Sequence, residues 1–125
     1  MSQFINFLFP LIWMLLIFIV SGTPSEQIPK VGSWDLPVKK GGHMAAYALL
    51  AALWLRALAS RRPAGRAAWL ALAITVLYAI SDEYHQTSVP GRNGTGVDVL
   101  VDTAGAVLGL WGWRVVARRG EAWPP

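Results

Sequence analysis

The chain has 125 residues, of which 54% are hydrophobic and 14% charged, with seven Trp, a formal net charge of +4 and a mean hydropathy of +0.42. This composition is too apolar for an ordinary soluble domain and fits a small integral membrane protein. The absence of cysteine excludes disulfides, thiolate metal sites and a thiol nucleophile, and the Arg residues beside apolar runs indicate membrane topology rather than nucleic-acid binding.

Phe4 to Val20 is apolar apart from Asn6 and is just long enough to cross the hydrocarbon core as a helix. No Lys or Arg precedes it, so it reads as a retained first span rather than a cleaved signal peptide, although Val20-Ser21-Gly22 offers small residues near its end. Thr23 to Gly42, punctuated by Pro24, Pro29, Gly32, Pro37, Gly41 and Gly42, reads as a loop, with Trp34 placed to enter the membrane interface. Residues 42–59 form the second span, and Arg56 near its end can snorkel. A short basic turn leads to the third span, 67–86, whose last turns carry Ser81-Asp82-Glu83-Tyr84-His85-Gln86. A turn-rich stretch with Pro90, Gly91, Arg92, Gly94 and Gly96 precedes the fourth span, 97–116.

The expected fold is an all-α membrane protein, a single domain of four transmembrane helices in a small bundle. Seven Lys and Arg residues fall on the side of both termini against four on the other, which predicts an N-in/C-in topology. The acidic cluster then faces outward.

Helical spacing predicts which side chains share a face. Lys40, His43 and Tyr47 line one face of the second span, and Asp82 shares a face with His85 or Gln86 in the third. In the fourth, Asp98 and Asp102 are i, i+4, and their stripe continues through Gly105, Gly109 and Gly112. The Gly105-x-x-x-Gly109 face admits a closely packed helix, so the carboxylates on that stripe point into the bundle.

The candidate binding residues are therefore Lys40, His43, Tyr47, Asp82, Glu83, His85, Gln86, Arg92, Asp98 and Asp102. Each has a plainer role: acids can solvate helix ends, Asp98 suits a helix N-terminus, Arg92 can pair with an acid to fix its loop, and His43 and Tyr47 can be interfacial residues. Asp102, inside its span, fits the plain reading least. If the chain is an enzyme, His43, His85, Glu83 and Asp102 are the candidate acids and bases, with Ser81 and Ser88 as nucleophiles by position only. Glu83-x-His85 is not a zinc-protease pattern, and no metal or other cofactor is expected from ligand spacing.

Lys40-x-x-His43-x-x-x-Tyr47-Ala-Leu-Leu, Ser81-Asp-Glu-Tyr-His-Gln86, Val89-Pro-Gly-Arg92, Asp98 and Asp102-Thr-Ala-Gly-Ala-Val-Leu-Gly109 together resemble the VanZ-like family. One departure is Lys39, which stands where that family often has an Asp. The resemblance implies a multi-pass protein of the bacterial cytoplasmic membrane, associated with resistance to the glycopeptide teicoplanin. The partners it implies are the lipid bilayer and a lipid, lipid-linked cell-wall precursor or glycopeptide ligand, with a homo-oligomer left open. An enzyme acting on a lipid or lipid-linked substrate is the alternative function. A small transporter using Asp98 and Asp102 as a proton relay is disfavoured, because no inverted repeat is visible.

Overall fold

A computed structural model describes residues 4–22, 35–60, 62–88 and 96–120; of residues 35–40, 64 and 117–120 it describes the backbone only. The described residues form four helices: α1 (Phe4–Ser21), α2 (Asp35–Ala59), α3 (Ala64–Gln86) and α4 (Gly96–Gly120). All four are long and apolar enough to cross a membrane.

α1 is the most apolar, and it accommodates Pro10, which is buried within it. Proline is tolerated in membrane helices because neighbours and local adjustments satisfy the backbone groups it frees. Most of the large side chains of α1 are exposed, Leu8, Leu11, Ile12, Leu15 and Ile19 among them, as suits a surface solvated by lipid. α2 begins at Asp35, so residues 35–42, read as loop from their Pro and Gly content, are helical. Pro37 lies in the first turn, where a missing N–H leaves no broken bond. Gly41 and Gly42 weaken a helix by about 1 kcal/mol each without preventing it.

Between α2 and α3 the turn is tight. Ser60 Oγ donates to the Ala57 carbonyl (2.6 Å) and the Arg62 N–H to that of Leu58 (3.1 Å), and Pro63 immediately precedes α3. Such a short connection requires antiparallel neighbours. At its far end α3 is closed by the hydroxyls of Thr87 and Ser88, which donate to the carbonyls of Tyr84 (2.7 Å) and His85 (2.8 Å).

Interhelical contacts fix the directions. Trp13 Nε1 donates to the Ala46 carbonyl (2.9 Å), Phe7 meets Trp54 edge to face, and Arg56 lies over the Phe9 ring, so α1 and α2 run antiparallel. Tyr78 Oη donates to the Met14 carbonyl (2.5 Å) and Ser21 Oγ to Asp82 Oδ2 (3.1 Å), contacts that advance in the same sense along both helices and so set α1 parallel to α3. α2 packs most extensively on α4, and among the described residues α1 touches α2 and α3 but not α4. The core between them is built from Tyr47, Leu50, Leu55 and Leu58 of α2, several alanines of α2, α3 and α4, and Leu110.

The α2–α4 contact depends on small residues. A Cβ at Gly105 would overlap the Met44 carbonyl oxygen, and one at Gly109 the Ala48 carbonyl oxygen. Both contacts advance by one helical turn on both helices in the same sense, so α2 and α4 are parallel and almost touch backbone to backbone. The C-terminal ends of α1 and α3 and the N-terminal ends of α2 and α4 therefore gather at one end of the bundle, where the polar side chains lie.

Candidate polar site within the bundle

At that end the buried polar residues are Ser21, Asp82, Glu83, Gln86 and Asp102, with Tyr47 fully buried among them. Asp82 is the focus of a hydrogen-bond network from three helices. Its Oδ2 accepts from Tyr47 Oη (2.9 Å) and Ser21 Oγ (3.1 Å), and Gln86 Nε2 approaches it at 3.5 Å and Ser21 Oγ at 3.4 Å. A carboxylate with only 4% exposure is tolerable in such a place because donors replace its lost water. Tyr47 also stacks near His43 and lies against Tyr78, with ring centres 6.2 Å away in each case.

Asp102 is more deeply committed. It is 1% exposed, and both its oxygens are buried without a hydrogen bond. His43 Nδ1 lies 3.4 Å from its Oδ1. Donor and carboxylate are thus paired at longer range than the roughly 2.7–2.9 Å of a charge-assisted hydrogen bond. One ligating atom from each of His43, Asp82 and Asp102 lies within 4.8 Å of the others, so α2, α3 and α4 each send one such group to a common point. The Gly105–Met44 contact, one turn along, is what lets α4 come close enough for Asp102 to meet His43.

His85 occupies a separate place. Its ring stacks on Phe18 of α1 with centres 4.4 Å apart and planes within 16°, and its Nδ1 is buried without a hydrogen bond. It borders a half-open groove of about 350 Å³ between the ends of α1 and α3, lined also by Phe18, Tyr78, Ser81, Tyr84, Ser88 and Asp82. Asp82 is common to the groove and the buried network, so the groove leads to the cluster.

The candidates named from sequence thus divide. His43, Tyr47, Asp82, Gln86 and Asp102 converge; His85 belongs to the groove, with Ser81 and Ser88, and Ser88 uses its hydroxyl on a helix-end carbonyl. Glu83 is buried on α3 outside the His43–Asp82–Asp102 group, and Asp98 is half-buried in the first turn of α4, where the helix dipole favours a negative charge. Arg92 and the first-loop Trp34 lie outside the described residues, as does the side chain of Lys40. Sequence reasoning missed Ser21 as a donor and Phe18 as the partner of His85. The available signal was the position of Ser21 at the end of the first span, level with the polar ends of the others.

A family model described as VanZ/LLP1 matches residues 6–117, nearly the whole chain. The chain belongs to the VanZ/LLP1 family. Neither a curated protein nor a solved structure matches it. The matched region takes in the second, third and fourth spans, all but the first two residues of the first, and every residue of the cluster, so the polar cluster lies within the VanZ/LLP1 match.

Proposed function

We propose that this VanZ-family protein resides in the bacterial cytoplasmic membrane with its polar end outward. There it binds the polar head of an amphipathic envelope molecule, such as a lipid or lipid-linked cell-wall precursor, and so lowers sensitivity to teicoplanin-type glycopeptides. The observation that carries this reading is the junction at Asp82, where a groove flanked by exposed apolar helix surface meets a buried set of hydrogen-bonding and ionic groups. An apolar approach ending in a few convergent polar groups suits a ligand with a lipid tail and a polar head. The excess of Lys and Arg at the opposite end supports the orientation.

Expression in a sensitive bacterium tests it. Wild type is expected to raise the inhibitory concentration of teicoplanin several-fold, and Asp82→Asn, checked for equal membrane abundance, to abolish the rise. An unchanged inhibitory concentration with wild type refutes the resistance role.

One observation favours a second reading, a membrane-embedded enzyme acting on a lipid or lipid-linked substrate. His43 is held beside a buried carboxylate, as the orienting half of an acid–base pair would be. Lipid profiles of cells expressing wild type, His85→Ala and Asp102→Asn discriminate. A chemical change made by wild type and absent from both variants supports the enzyme, and identical profiles count against it.

A further inference from the structure

We infer that His43, Asp82 and Asp102 form a binding site for a divalent transition cation, which ties α2, α3 and α4 together inside the bundle. The site goes beyond the glycopeptide reading and does not depend on it.

Two features beyond the clustering of acids point to a cation. First, both oxygens of Asp102 are buried and accept no hydrogen bond, although the residue is 1% exposed. A carboxylate in that position is costly unless a cation or donors compensate it. Second, the spacing suits shared coordination better than a direct bond. The 3.4 Å between His43 Nδ1 and Asp102 Oδ1 is too long for a charge-assisted hydrogen bond, whereas two ligands about 2.1 Å from a tetrahedral centre are about 3.4 Å apart. The three ligating atoms lie within 4.8 Å of one another, so a pair at that limit closes by about 1.4 Å, a side-chain adjustment, to reach the same tetrahedral spacing.

The surroundings of Asp82 are those of a metal ligand held by outer groups. Tyr47 Oη and Ser21 Oγ donate to Oδ2, with Gln86 close by. Donors on the far oxygen fix the orientation of a ligating carboxylate. The groove that reaches Asp82 supplies an entry path. One imidazole with two carboxylates and no thiolate suits Mn²⁺ or Zn²⁺ rather than a soft cation such as Cu⁺, and two carboxylates neutralise its charge. Metal-binding motifs with ligands a few residues apart cannot reveal such a site, because its ligands come from three helices.

The test uses the full chain in detergent with no affinity tag, stripped with a chelator and titrated with Mn²⁺, the free-ion paramagnetic resonance signal reporting unbound metal. Wild type is expected to take up close to one equivalent, to release it to Zn²⁺, and to unfold at a higher temperature with metal than without. Asp102→Asn and His43→Ala should lose this uptake while remaining helical and monodisperse. Tyr47→Phe, which keeps all three ligands, should weaken binding roughly 10- to 100-fold. If either ligand variant fails to fold, wild-type stoichiometry and Tyr47→Phe decide. Uptake no greater than that of a detergent blank overturns the site, and so does uptake equal to wild type in folded ligand variants.

Discussion

Gly109→Ala is the simplest perturbation of the α2–α4 contact that brings Asp102 to His43. Its Cβ would stand 2.7 Å from both Cα and the carbonyl carbon of Ala48, and closer still to the carbonyl oxygen. Carbon atoms prefer about 3.5–4.0 Å, so the helices must part by about 1 Å, and the opposing atoms are backbone that cannot rotate aside. Overpacking of this kind costs about 1–3 kcal/mol. Gly→Ala also gains about 1 kcal/mol of helix propensity, which obscures the cost in a single variant. Gly112→Ala supplies the reference, because the same stripe carries Gly112 with no atom within 4 Å of its would-be Cβ. The propensity gain is common to both, so Gly109→Ala should be less stable than Gly112→Ala by about 1–3 kcal/mol. Unfolding by increasing SDS in mixed micelles, followed by circular dichroism, measures the difference. Equal stabilities within about 0.5 kcal/mol would refute the backbone contact between α2 and α4.

Further outcomes follow from individual contacts. Tyr47→Phe removes one donor from Asp82 while Ser21 remains, and should cost about 0.6 to about 1.7 kcal/mol in the same unfolding assay. Thr75→Val should change stability by no more than about 0.6 kcal/mol, since among the described residues the buried Thr75 hydroxyl bonds the Ala71 carbonyl of its own helix and no other helix. For the proposed orientation, a single cysteine at Thr95 in this cysteine-free chain should react with an impermeant maleimide from outside the cell, and one at Ala64 should be protected; the reverse pattern would invert the topology.

The four spans are legible because each is a sustained apolar run bounded by polar or turn-forming residues, as Phe4–Val20 and the stretch after the basic turn at Arg61 and Arg62 illustrate. Local periodicity also places Asp98, Asp102, Gly105 and Gly109 on one stripe. Periodicity gives faces, but it does not give the axial offset or rotation of one helix against another. That is why Ser21, a small residue at the end of a span, shows no sequence sign of its bond to Asp82, sixty-one positions away. It is also why the stripe's three glycines look equivalent, although Gly105 and Gly109 touch α2 and Gly112 faces open space. His85 and Asp82 illustrate the same limit: their proximity along α3 hides that one stacks on Phe18 and the other enters the buried network. The start of α2 is obscured for another reason, since Pro37 and the Gly41–Gly42 pair signal a loop locally, whereas a first-turn proline is compatible with helix.

Ionisable groups from separate helices meet inside the bundle, and a double-mutant cycle between His43 and Asp102 tests that meeting most directly. Stabilities of wild type, His43→Gln, Asp102→Asn and the double variant yield their coupling. Contact across α2 and α4 predicts a coupling of about 0.5–3 kcal/mol, whereas additivity within about 0.3–0.5 kcal/mol would mean that the two side chains do not meet and that the site is not formed.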